Sequence, residues 1–310
     1  MVSRKTVRIG IGGIKIGHYT ETREPTGVTV ILFEEPLMAA ISQKGPAPGT
    51  RETDLLRLMH REDYRINALV FTGRSVFGLR TVDGVVDYLF ERGIGFDVGF
   101  MKVPIVPSAV IFDFKPGQKV IPTWQWGYEA AKSAQDTFYI GDVGVGAGAT
   151  VGKALGLENA SQSGIGFSDI WINRIYIAAL TVVNAFGDVV GPSGELIAGP
   201  RDPNSGKIIR TTEYMAKSNY VKVIRGTSTT LSLIITNIRV SRESLSRIAE
   251  YAHYGLASRI EPYNTDYDGD TVFAVTTGEV NYDINPILNY IKQVVSESVL
   301  SIFNRVGIKT

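Results

Sequence analysis

Two hydrophobic periods run through the chain. Val7, Ile9 and Ile11 alternate with Arg8, Gly10 and Gly12, the two-residue period of a half-buried strand entering a turn. Val28 to Phe33 predicts a second strand and Ala39 to Ser42 a third; Ala68 to Phe71, Pro104 to Phe114 and Ile175 to Val183 add further apolar strands. Leu231 to Ile235 is too short for a helix and rich in strand formers, and Thr271 to Thr276 reads likewise. The other period is helical. Val82, Val85, Val86, Leu89 and Phe90 share one face of a helix capped by Thr81 and ended by Gly93. Tyr128 to Ala134 predicts a short helix. Leu245, Ile248, Ala249, Ala252 and Leu256 mark a helix capped by Ser241, and Ile284 to Phe303 a final one. Gly45 to Thr53 is a loop entering a helix capped by Thr50 or Thr53, with Arg51 as a loop anchor. Residues 199–222 lack periodicity and read as a polar, mobile linker. Periodicity alone therefore gives a mixed α/β chain of strands flanked by amphipathic helices.

Composition narrows the function classes. With 310 residues the chain is long enough for one large domain. Lys and Arg number 32 against 31 Asp and Glu, which argues against a nucleic-acid partner. There is no cysteine, hence no disulfide, thiolate metal site or catalytic Cys. No apolar run reaches membrane-spanning length and no secretory signal is visible, so the expectation is a cytoplasmic protein with no membrane partner.

Four stretches carry candidate chemistry. Gly226-Thr227-Ser228-Thr229-Thr230 crowds hydroxyls at the entry to the apolar strand Leu231 to Ile235, an arrangement that turn chemistry alone also explains. Asp268-Gly269-Asp270 places two carboxylates on one side of an extended segment, or simply makes an Asp-Gly turn. The glycine-rich run 141–153 fails as a phosphate loop, because Ala147 and Ala154 stand where Gly and Ser or Thr are needed. It matches a dinucleotide fingerprint only loosely, and its bare N–H groups could face a developing anion. His18, His60 and His253 are dispersed, with no partners for a metal or a Ser-His-Asp triad. No cofactor or metal is expected.

In order and spacing, the blocks Gly144 to Lys153, Ala252 to Ala257, Gly226 to Asn237 and Tyr267 to Gly278 resemble the P1 peptidase family over nearly the whole chain. That family holds L-aminopeptidase/D-esterases, β-peptidyl aminopeptidases and the nylon-oligomer endo-hydrolase. Gly269 to Ala274 is the most specific match. The resemblance implies a four-layer αββα sandwich of the N-terminal-nucleophile type, shared with ornithine acetyltransferase, made as an inactive precursor that cuts itself once. The cut would fall between Ser228 and Thr229, dividing a single domain of residues 1–310 into chains 1–228 and 229–310. Thr229 would be the nucleophile, with Ser228 and Thr230 as alternatives. Asp268 and Asp270 would orient Thr229 and move its proton, a pair nearer the nylon-hydrolase branch than the Ser and Glu of the aminopeptidase branch. Lys153 would be a cation beside that pair or a ligand for substrate carbonyls, and Asn184 an oxyanion donor; a surface Lys and a turn Asn are the alternatives. Lys is missing from the family's Lys-Gly-Gly-Ile-Gly turn, where Gln162 and Ser163 stand. The expected partner is a small peptide or amide substrate, and the expected assembly a homotetramer of processed protomers. A non-processing homologue that binds a small ligand or assembles as a scaffold is the competing reading.

Overall fold

The structure, a computed structural model, describes residues 2–58, 64–218 and 225–303. Its strands relevant to the site are β1 (Ile14–Glu21), β2 (Thr26–Gln43), β3 (Thr50–Arg51), β4 (Ile66–Thr72), β5 (Ser108–Val110), β6 (Ile165–Ile172), β7 (Ile175–Asn184), β8 (Thr229–Arg239) and β9 (Thr271–Asn281). The main helices are α1 (Thr81–Phe90), α2 (Trp124–Lys132), α3 (Arg242–Ala257) and α4 (Leu288–Ser301).

Strand β2 organises the rest. Its first half pairs with β1 and β4, and its last six residues, Met38 to Gln43, pair with β9. It therefore belongs to two sheets, one ordered β1-β2-β4-β5-β3 and the other β6-β7-β8-β9-β2. The sequence pattern splits β2 in two because residues 34–36 are exposed and include Pro36. The register with β4 shifts there, between Leu32 and Leu37, where a proline costs no ladder bond.

The two sheets pack face to face. Ile31, Phe33, Leu69 and Phe71 meet Leu231, Leu233, Ile235 and Phe273 in one buried core. The opposite face of the second sheet, with Ile234 and Ala274, lies under Leu245, Ile248 and Ala252 of α3 and Ile291 and Val295 of α4. The outer face of the first sheet, with Val28, Val30 and Val70, lies under α1 and α2. Strands covered on both sides read as unbroken apolar runs, which is why β8 is buried from Thr229 to Ile238. The result is the expected αββα sandwich.

Several local expectations change. Thr81 is not a cap: a 3-10 turn, Ser75–Arg80, runs straight into α1, and the Thr81 hydroxyl donates back to the Gly78 carbonyl. Phe90 faces solvent. The helix after Thr53 is one 3-10 turn, Asp54–Leu56, and Arg51 does anchor its loop, 2.6 Å from Asp83 on α1. Residues 199–218 are not bare linker. They hold a turn and a helix, Thr211–Lys217, whose first N–H is accepted by Asp188 at 2.7 Å; residues 219–222 of that predicted linker, like His60, lie outside the described residues. Gly144 to Gly148 is buried, and the N–H groups of Gly144, Val145 and Gly146 are taken by Thr20, Thr29 and Val143, so these three do not face an anion. Among the described residues no helix is long and apolar enough to cross a membrane.

Candidate active site

The site forms where β8 begins. β8 is flanked by β7, antiparallel, and by β9, parallel. The parallel neighbour needs a crossover, which α3 supplies. The ladder continues backwards past the strand ends: Ser228 bridges to Asp268 in the same register that pairs Leu231 with Thr271. Asp268-Gly269-Asp270 therefore lies alongside Ser228-Thr229-Thr230. On the other side the register places Asn184, the last residue of β7, opposite Thr229.

Ser228 and Thr229, and the peptide bond that joins them, are buried. The Thr229 hydroxyl donates to the Ser228 carbonyl oxygen at 2.6 Å, and the Gly269 N–H donates to that same oxygen at 2.9 Å. The Ser228 N–H in turn donates to the Tyr267 carbonyl at 3.1 Å. One residue is thus gripped at both backbone groups beside a hydroxyl that faces its carbonyl.

The two carboxylates play unlike parts. Asp268 is saturated: Oδ1 accepts the Phe186 N–H, and Oδ2 accepts the Thr265 N–H and hydroxyl, at 3.1, 3.0 and 2.6 Å. It fixes the turn that carries Gly269. Asp270 accepts the Thr230 N–H at 2.6 Å through Oδ1, while its Oδ2 is buried without a hydrogen-bond partner. Burial, with the Asp268 charge beside it, pushes the Asp270 carboxyl well above the ordinary carboxylate range.

Lys153 is fully buried, which contradicts a surface role. Its ammonium donates to the Asn184 carbonyl at 2.8 Å and the Thr227 carbonyl at 3.3 Å. Burial lowers its pKa to about 7, against the opposing pull of Asp268, Asp113 and Asp270. Asn184 is also buried rather than in an exposed turn. In the uncut chain its amide nitrogen donates to the Phe112 carbonyl at 3.0 Å and its oxygen accepts the Thr150 N–H at 3.1 Å. Thr229, Asp268, Asp270, Lys153 and Asn184 are all brought to this one strand end. His253 is elsewhere, bonded to Tyr263 at 2.6 Å and to Ser42, and burial takes it down to about 4.

Three participants escaped the sequence reading. The Gly269 and Tyr267 backbone groups leave no side-chain signature. Asp113 does leave one, a lone acid in the apolar run Ala109 to Phe114; it is buried against the Arg74 backbone, accepting that N–H at 2.7 Å. Close packing keeps the turn that carries Gly269 in place. A Cβ on Gly45 would strike the Asp268 carbonyl, and one on Gly269 the Ala47 carbonyl. Tyr267 stacks on Phe186 at 4.3 Å. Among the described residues no group of three or more His, Asp or Glu is placed to hold a metal ion.

Comparison with known proteins gives the family. The profile of Peptidase family S58 matches residues 9–306. An uncharacterized aminopeptidase of Mycobacterium tuberculosis is 36% identical over 290 residues, covering 87% of this chain and 81% of its own length. The 6-aminohexanoate-oligomer endohydrolase of Paenarthrobacter ureafaciens is 31% identical over 291 residues, covering 91% and 78%. The L-aminopeptidase D-Ala-esterase/amidase of Ochrobactrum anthropi, described as a variant of the Ntn hydrolase fold, superposes with a TM-score of 0.69 over 94% of this chain and 84% of its own; at 15% identity it shows the fold.

Proposed function

The chain belongs to peptidase family S58 and is an amide-bond hydrolase, and we propose that it matures by cutting itself between Ser228 and Thr229 and then works through the Thr229 hydroxyl. The observation that carries this is the Thr229 hydroxyl, 2.6 Å from the Ser228 carbonyl oxygen that Gly269 also holds. In the precursor, Thr229 Oγ bonds to the Ser228 carbonyl carbon and its proton passes to the carboxylate form of Asp270, which burial makes a stronger base than an ordinary carboxylate. The negative charge collects on an oxygen that already faces the Gly269 N–H, so the donor needs no rearrangement as charge develops. The peptide C–N bond then breaks, and the departing nitrogen takes the proton and becomes the Thr229 α-amine. Water hydrolyses the resulting ester, leaving a Ser228 carboxylate on chain 1–228 and a free N-terminus on chain 229–310.

The new α-amine, with an ordinary pKa of about 7.7–8.0, supplies the base that the precursor lacked. It accepts the hydroxyl proton as Thr229 attacks a substrate amide and passes it to the leaving amine. Water then releases the acyl group. Lys153 holds the Thr227 and Asn184 carbonyls on either side of the bond, and Asp268 keeps the Gly269 N–H aimed at it. A cytoplasmic homotetramer is part of the same proposal. Self-association, though not the number of copies or the compartment, is supported by an exposed apolar hairpin, residues 96–103, tipped by Phe100 at 87% exposure. Sedimentation of a monomer at micromolar concentration would count against that assembly.

Intact mass under denaturing conditions tests the central step. Freshly purified protein should give two species, residues 1–228 and 229–310. A single species of 33.8 kDa that survives warming and long incubation would overturn self-cleavage, and a cut one residue to either side would move the nucleophile to Ser228 or Thr230.

A further inference from the structure

The uncut chain contains a bound acyl group, namely its own Ser228. Resting on the self-cleavage reading above, we infer that the mature site takes α-aminoacyl substrates with small side chains, rather than β- or ω-aminoacyl ones. The acyl carbonyl of a substrate must lie within reach of the same Thr229 hydroxyl that the Ser228 carbonyl now faces. Once Ser228 becomes a carboxylate and withdraws, two backbone groups stand free: the Gly269 N–H, which held its carbonyl, and the Tyr267 carbonyl, which held its N–H.

These two groups measure out a substrate. They belong to one short turn that cannot stretch, since Asp268 between them accepts three hydrogen bonds and Ala47 packs against Gly269. In the uncut chain they are satisfied by an N–H and a C=O separated by a single carbon. An α-aminoacyl group reproduces that spacing. A β-aminoacyl group inserts one more carbon and a 6-aminohexanoyl group four more, so either leaves the Tyr267 carbonyl or the Gly269 N–H unmatched. An unmet polar group in a dry site costs about as much as a lost hydrogen bond. A free α-ammonium and a peptide N–H satisfy Tyr267 alike, so the grip specifies the α spacing and not the exopeptidase mode. The Ser228 side chain is fully buried, its hydroxyl without a partner, which sets the side-chain space at the size of Ala or Ser.

The experiment uses protein whose Ser228/Thr229 cut has been verified by mass. kcat/KM is measured for four p-nitroanilides: alanyl, propionyl (the same acyl group without its amine), β-alanyl and 6-aminohexanoyl. Alanyl should exceed propionyl by on the order of ten- to a hundredfold, with β-alanyl and 6-aminohexanoyl no better than propionyl. Equal or faster turnover of the β-alanyl, 6-aminohexanoyl or propionyl compound overturns the inference and leaves self-cleavage standing, as does a cut enzyme that ignores all four. An uncut chain by mass, or unchanged turnover in Thr229→Ala, removes the parent reading and this one with it.

Discussion

Thr229 and Lys153 carry different burdens, and their variants should separate them. Thr229→Ala removes a hydroxyl whose partner is the adjacent carbonyl, together with one buried methyl group. It should fold normally, as judged by circular dichroism, and remain a single uncut, inactive chain; continued cutting would sink the nucleophile assignment. Asp270→Asn keeps the shape and the acceptor for the Thr230 N–H but cannot take a proton. Self-cleavage, followed by mass against time, should slow by at least about a hundredfold. Lys153 provides a pH signature. Its pKa in the folded chain, about 7, lies below that of a free lysine, so between about pH 7 and 10.5 the unfolded chain binds the extra proton. Stability from this residue should rise with pH across that window. Asp270, shifted upward, works in the opposite sense, its contribution falling as pH rises from the ordinary carboxylate range through its folded-state pKa, so the lysine contribution must be read by difference. In a Thr229→Ala background, the urea midpoint of the Lys153 protein should rise relative to that of Lys153→Met as pH goes from 7 to 10; a constant gap would mean Lys153 keeps its charge throughout.

At the scale of elements, the site depends on β8 being held between β7 and β9, with α3 making the crossover. The α3 start was legible because Ser241 is a capping residue before an apolar stripe, and its hydroxyl accepts the Ser244 N–H at 3.2 Å. Ser241→Ala should lower stability by about 0.5–2 kcal/mol in urea unfolding. Arg51→Ala should change it by less than about 1 kcal/mol, since the Arg51–Asp83 pair is roughly half exposed. An equal loss for both would show that α3 is not individually limiting. The β2 bend was not legible, because a pattern read locally sees an interruption at residues 34–36 as the end of a strand, whereas in space the chain is changing sheets.

For the whole molecule, cutting before β8 severs the chain and not the fold. Chain 229–310 would contribute β8, α3, β9 and α4, with β8 paired to β7 of the other chain along eight residues and β9 paired to β2 along six. Leu231, Leu233 and Phe273 remain in the core between the sheets. The two products should therefore co-elute on size exclusion in native buffer and separate only in denaturant; separate native peaks would show that the cut releases a fragment.

The sequence by itself determined the α/β class and most of the helix faces, since periodicity is a local property, and offered a small set of hydroxyl, carboxylate, amide and ammonium residues that turn or surface roles would also explain. The resemblance of four blocks to a known family placed those residues in one site. What only the tertiary structure decided was their division of labour. Register across β7, β8 and β9 set Asp268 to hold the turn and left Asp270 with a free oxygen. Burial brought Lys153 toward neutrality. The grip on Ser228 fell to the backbone of Tyr267 and Gly269, groups that every residue possesses and that only folding can aim.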